Sequence, residues 1–239
     1  MTGDPGGVGK DEGDGNGDGD ESWPVTLEGV TETVVTTLGP NGRWNAAALG
    51  LFAGEVGHGD EDGHDERDDE NAGTQRPITA TTWGNTRTRR NFHRTGEGYV
   101  QFTVDPLAFV DAALSITELE TDPILESTNA WVRVSIDRVD AGTENGTEWE
   151  RWELTPLESR VLERRVPTIS RGFGAVVEAT VAASRLEVAG YDDERLLERL
   201  AYCESVVERA GSDREREAIE RVRTYSAWGE SDSSENESL

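Results

Sequence analysis

Lysine is all but missing from this 239-residue chain: of its 23 basic residues, only Lys10 is not arginine. Against them stand 49 acidic residues, for a formal charge of −26. Outside the short run Arg87, Arg89 and Arg90 there is no basic stripe, so neither nucleic acid nor an anionic membrane surface is an expected partner. Cysteine occurs once, at Cys203, which excludes an internal disulfide framework. Within its helical pattern Cys203 reads as a small buried hydrophobe. Long apolar runs are absent as well. The longest, Ala46 to Ala53, is far short of the roughly 20 residues a membrane helix needs. The N-terminal residues have no apolar core, so no signal peptide is expected. The expectation is a soluble protein of the reducing cytoplasm.

So large a charge strains a compact state by self-repulsion in dilute buffer. At about molar salt the Debye length is roughly 3 Å and the repulsion is largely screened. The composition therefore reads as that of a salt-loving cell, with carboxylates keeping the surface hydrated. An acidic disordered chain is the competing reading, and the regular apolar periodicity of several long segments excludes it.

Residues 1–21 are mostly Gly, Asp, Glu and Asn, and read as a disordered acidic tail. Asp14, Asn16, Asp18 and Gly19 resemble the start of a calcium loop, but Val25 stands where the bidentate Glu is needed. A second polar tail spans 229–239. Residues 55–76 form an acidic, glycine-rich loop insertion that carries His58 and His64. A lengthened loop accounts for it better than a metal site does, and no metal ligands are assigned.

Between these segments the chain divides in two. From 22 to 155 the apolar period is mostly two. The turn Gly39-Pro40-Asn41-Gly42 joins one pair of strands and Asn145-Gly146 another. Ile78 to Trp83 and Tyr99 to Val104 are further strands, and Pro106 opens a short helix ending at Leu114. Many strands with one or two short helices predict a closed or nearly closed barrel. From 156 to 228 the period becomes helical, with Phe173, Val176, Val177, Thr180, Val181 and Ser184 on one face. Asp192 caps a second helix that stops at Gly211, and Ser212 with Glu215 forms a capping box for a third. The fold class is thus mainly β with helices, a barrel followed by a helical segment.

Chemistry concentrates after the strand Ile78–Trp83. Gly84 and Asn85 tolerate unusual backbone angles. Thr86 and Thr88 then supply hydroxyls, with arginines interleaved, at the opening of a short helix. Free N–H groups, hydroxyls and guanidinium are what a phosphate dianion requires. The plain alternative is a capped helix with a solvated basic face. Gly172-Phe-Gly174 resembles the start of a dinucleotide fingerprint, but Val177 occupies the third glycine position. No Ser/His/Asp constellation is present, His93 is the one histidine outside the insert, and no catalytic residue is assigned.

The segments Trp44–Gly50, Thr82–Phe92, Val104–Val110 and Arg171–Arg185 resemble an archaeal family, domain of unknown function 447. That family is similar in fold to the FMN-binding split barrels, which include flavin reductases. The resemblance covers most of residues 23–225. It implies an FMN site at the interface of a homodimer, with a reduced nicotinamide as electron donor. In split-barrel flavoproteins a Lys-Asp-Thr-x-x-Asn motif holds the FMN phosphate; Thr88 and Asn91 match its Thr and Asn, whereas Thr86 and Arg87 replace its Lys and Asp. The resemblance also implies that Asn45, Ala46, Ala47 and Ala48 lie along the isoalloxazine, through backbone groups that small side chains leave accessible. Trp83, Gly84, Asn85, Thr86, Arg87, Thr88 and Asn91 complete the expected cofactor site. The leading expectation is a flavin-dependent oxidoreductase of unspecified substrate. Its rivals are a non-catalytic flavin or small-ligand carrier, and a dimeric structural protein whose arginines meet only passing anions.

The composition makes one prediction by itself. Moving the protein from molar salt to dilute buffer should lower its thermal midpoint markedly. A midpoint that is the same in both would refute the halophilic reading.

Overall fold

The computed structural model describes residues 20–54 and 77–229. The loop insertion expected at 55–76 and nearly all of the expected tails at 1–21 and 229–239 lie outside the described residues.

Strands β1 (Gly29–Leu38) and β2 (Trp44–Ala53) pair along their whole length. They are joined through the expected turn, where Gly42 adopts φ 76° and the Gly39 N–H donates to the Arg43 carbonyl at 2.6 Å. Next come β3 (Ile78–Trp83), α1 (Arg87–Thr95), β4 (Glu97–Thr103), α2 (Pro106–Leu114) and β5 (Thr117–Leu119). The longest strands, β6 (Thr128–Glu144) and β7 (Thr147–Val161), form a hairpin. Its turn residues Asn145 and Gly146 have φ of 50° and 82°, the two positive angles of a type I′ turn. Helices α3 (Arg171–Ala183), α4 (Asp193–Ala210) and α5 (Asp213–Tyr225) follow.

All pairings are antiparallel. The order β1-β4-β6-β7-β3-β2 returns to β1, so six strands close a barrel, and β5 attaches to β2. The expected fold class is the observed one. Two details differ from the periodicity. Strand β7 continues past Pro156 to Val161, because the register with β6 shifts at Val134↔Pro156 and then resumes; a bulge is where a sheet accommodates proline. The three-residue strand β5 is too short to leave a period in the sequence.

Three apolar clusters organise the interior. The barrel is filled by residues such as Val35, Leu51, Phe92, Val100, Val132 and Trp152. The helical module has its own core, which includes Val176, Leu200, Cys203 and Val222. Between them, Val34 and Ala46 of the barrel wall meet Phe109 and Ala112 of α2. Caps form where the sequence places them: Asp192 on α4, and Ser212 with Glu215 in a reciprocal box on α5. Gly172 is explained by packing rather than by phosphate, since a Cβ there would stand 2.8 Å from the Gly211 Cα. Among the described residues no helix is long and apolar enough to cross a membrane.

One buried amide ties the barrel to its outer loop. Gln101, on β4, is fully buried. Its Nε2 donates to Thr36 Oγ1 at 3.0 Å and to the Pro123 carbonyl at 2.9 Å. Its Oε1 accepts from the Leu125 N–H at 2.8 Å and from Thr128 Oγ1 at 2.7 Å. Each buried group left unpaired costs about 1–3 kcal/mol. Gln101→Leu should therefore destabilise the protein by about 3 kcal/mol in urea unfolding. A loss below about 1 kcal/mol would mean that water or a rearranged loop replaces the amide.

Candidate functional site

The second edge of β2 is divided between two partners. Trp44–Ala46 pair with β5 and Leu51–Ala53 pair with β3. Neither pairing reaches Ala47–Gly50, so the barrel wall splits there. In an antiparallel strand alternate residues direct both N–H and C=O to the same side. This stretch therefore presents backbone donors and acceptors across an open edge.

A cavity of about 440 Å³ lies against that edge, within the range typical of small-molecule sites. Its floor is β2 from Asn45 to Gly50, and the end of β3, including Trp83, borders it. The N-terminus of α1 contributes Thr86, Arg87 and Thr88. Helix α2 and the residues after it contribute Ala112, Ala113, Ser115 and Ile116, while Thr180, Val181 and Ser184 of the α3 segment face it from the helical module. Small residues on β2 keep the floor low. Glu32 is the acidic residue of the wall; burial pushes its carboxyl above the usual range, Glu178 adds to the rise and Arg185 opposes it.

Asn45, Ala46, Ala47, Ala48, Trp83, Thr86, Arg87 and Thr88 thus converge on one cavity. Gly84, Asn85 and Asn91 do not line it. Gly84 takes φ 65° and shapes the turn into α1. Asn85 accepts from Arg90 Nη1 through its carbonyl and its Oδ1, at 2.8 and 2.9 Å. Asn91 ties α1 to β1 instead, donating to Thr37 Oγ1 at 3.0 Å. Thr86 is the N-cap of α1, with its hydroxyl oxygen accepting from the Arg89 N–H at 3.1 Å. Thr88 is buried.

The arginines of this helix have partners that sequence spacing does not reveal. Arg87 meets Glu118 of β5 at 3.1 Å. Arg89 meets Glu150 at 2.8 Å and Glu148 at 3.2 Å, both on β7. Glu150 also accepts from Arg138 at 3.1 Å and lies 2.8 Å from His93 Nε2. His93, itself on α1, stands edge-on to Trp152 at 5.0 Å. The parts of the wall from α2 and α3 carry no site signal in the sequence. Thr180, Val181 and Ser184 do share a helical face there, but such a face reads as packing.

Two family models match the chain. One, described as a protein of unknown function (DUF447) N-terminal domain, covers residues 31–163; the other, protein of unknown function (DUF447), covers 170–224. Among solved structures, the FMN-bound protein MM1853 from Methanosarcina mazei is similar, with a TM-score of 0.63 and 22% identity over 83% of this chain and 96% of that one. Flavin reductase HpaC complexed with NADP+ gives a TM-score of 0.35 and 12% identity over 57% of this chain and 81% of that one. Nitrilotriacetate monooxygenase component B from Bacillus cereus gives 0.40 and 14% over 59% and 74%.

Glu150 anchors the N-terminal half of α1 to the barrel, and its side chain is 3% exposed. Burial pushes its carboxyl up, but hydrogen bonds from Arg89, Arg138 and His93 outweigh that and hold it below the usual range. A depressed folded value means that the stabilisation is complete above the ordinary carboxylate range and is lost as pH falls through the folded value. Glu150→Gln should cost at least about 2 kcal/mol at neutral pH. The gap between wild type and variant in urea unfolding should close in acid. A gap that keeps its size below the carboxylate range would contradict the ion-pair account.

Proposed function

The chain belongs to the DUF447 protein family, and from that premise we propose that it binds FMN in the cavity at the open edge of β2. The observation that carries the reading is the convergence, on one cavity, of an unpaired strand edge with a helix N-terminus bearing Thr86, Arg87 and Thr88. A flat ring whose pyrimidine edge alternates donors and acceptors matches a strand edge that does the same. Ala46 and Ala48 permit its close approach, and Trp83 borders it. The phosphate lies at the start of α1, where backbone N–H groups, the Thr88 hydroxyl and the Arg87 guanidinium are available. Glu118 holds Arg87 at the rim and so fixes the direction from which the anion is met. The likeness in fold to the FMN-bound Methanosarcina protein supports the same choice of ligand.

Bound FMN would supply hydride and single-electron chemistry that no side chain has. The chain's residues orient the ring, exclude water from its β2 face and leave the opposite face to a reduced nicotinamide donor. The protein is thus a flavin-dependent oxidoreductase, working as a homodimer in the cytoplasm of a salt-loving archaeal cell. A carrier without turnover is the second reading, favoured by a cavity wall whose ionisable side chains are only Glu32 and Arg87 among the described residues.

Protein purified in high salt should be yellow, should scatter light as a dimer, and should bleach anaerobically with a reduced nicotinamide. Bound flavin that does not bleach would select the carrier; a colourless protein that ignores added FMN would exclude both readings. An Arg87→Ala/Thr88→Ala variant should bind FMN at least about tenfold more weakly, since charge-assisted hydrogen bonds are each worth about 1.5–3 kcal/mol. Riboflavin, which lacks the phosphate, should bind weakly to both forms. Unchanged FMN affinity would place the phosphate elsewhere.

A further inference from the structure

A second cavity, of about 390 Å³, opens beside the β1–β2 turn and continues the first, because Asn45 and Arg87 line both. Arg87, Arg90 and Arg94 stand along it at helical spacing on one face of α1, faced by the side-chain amides of Asn41, Asn45 and Asn91. Glu118 is its one carboxylate, and Glu118 is already engaged by Arg87 at 3.1 Å and by Asn41 Nδ2 at 3.4 Å. The other two arginines meet only neutral oxygens. Arg90 donates to the carbonyl and side chain of Asn85, and Arg94 to the Leu38 carbonyl and to Asn91 Oδ1. Among the described residues neither has a carboxylate within 4.0 Å. In a chain of charge −26, a concave wall with two guanidinium groups that have no carboxylate partner is built for an anion.

We propose that this cavity is a second anion subsite, and that it takes the second phosphate of a flavin dinucleotide whose first phosphate lies at the start of α1. This rests on the flavin reading above. From Arg87 to Arg94 the helix rises about 10 Å, so the groups at its far end are beyond the reach of a monophosphate held at its N-terminus. The two phosphates of a dinucleotide share one bridging oxygen, so the second lies only a few ångström further along the arginine face, against Arg90, and Arg94, whose side chain leans back toward the helix N-terminus, closes its far side. The pocket therefore accepts the diphosphate of FAD as well as the monophosphate of FMN.

The test is to titrate the full chain with FMN, FAD and inorganic pyrophosphate, comparing wild type with Arg90→Gln/Arg94→Gln. Arg90→Gln alone serves as a second variant that leaves the Arg94 contact to Leu38 intact. Expected are a loss of at least about tenfold in affinity for FAD and for pyrophosphate in the double variant, a smaller loss in the single one, and FMN affinity within about twofold of wild type. Equal losses for FMN and FAD, or none for either, would overturn the second subsite. Should wild type bind no flavin at all, the functional reading fails, while pyrophosphate still decides the subsite: bound by wild type and lost in the double variant, it stands; not bound by wild type, it falls.

Discussion

A strand in the wall of a closed barrel ordinarily has both edges spoken for, and a backbone so paired has nothing to offer a ligand. Strand β2 keeps one edge fully paired with β1 and shares the other between two short partners. The four residues left over are Ala47, Ala48, Leu49 and Gly50. Everything proposed for the site depends on that gap. An unpaired edge inside a folded chain is a liability unless water or a ligand meets it, and a cavity lined by three different helices has been built against it. Alternation along β2 then sorts the side chains. Leu49 and Leu51 join the barrel interior, while Ala46 and Ala48 face α2 and the helical module. One strand thus seals the core with its large residues and forms the cavity floor with its small ones.

The charge pattern around α1 follows a second economy. Exposed ion pairs are worth about 0–1 kcal/mol and less in salt, so most of the surface pairs contribute little. Glu150 is different because it is buried and bonded by three partners from α1 and β6. Together with Asn91 on Thr37, it holds the helix on the barrel where screening is weakest. The helix can then carry arginines along its outer face with only part of its position resting on them, through Arg87 on Glu118 and Arg94 on the Leu38 carbonyl. That separation of tasks is what leaves Arg90 and Arg94 available to an anion.

Much of this was legible in the sequence, for reasons specific to each element. Asn145-Gly146 and Gly39–Gly42 announce their hairpins because those turns demand residues that tolerate positive φ. The caps at Asp192, Ser212 and Gly211 are equally local. The phosphate-binding candidates are local too, since Thr86, Arg87 and Thr88 are neighbours at one helix end. What could not be read is whatever depends on contact between distant segments. Strand β5 is three residues long, and its role is to divide an edge of β2. Glu118, Glu148 and Glu150 are ordinary members of an acidic chain until the fold sets them beside Arg87 and Arg89. Asn91, which the resemblance implies for the cofactor site, donates to Thr37 of β1, a contact between distant segments. The α3 face is visible in the sequence, but nothing there says that part of it walls a cavity rather than a core.

The helical module is coupled to the cavity through α2. Its consecutive residues Phe109 and Val110 belong to different cores, the first packing on the barrel wall and the second on the helical cluster. Ala112 follows Phe109 to the barrel, while Leu107 joins Val110 in the helical core. A helix whose opposite faces are both buried cannot shift without opening one core or the other. The residues that continue it, Ser115 and Ile116, line the cavity directly. Ser115 Oγ donates to the Asp111 carbonyl at 2.7 Å, and Thr117 Oγ1 donates to the same carbonyl at 3.1 Å. Those bonds carry the chain from the end of α2 straight into β5, the strand that divides the β2 edge. Asp111 itself is held by Arg221 of α5. The helical module therefore reaches the open edge by two routes, directly through α3 and indirectly through α5, Asp111 and β5. The barrel supplies the site's backbone edge, and the helices supply the walls that face it.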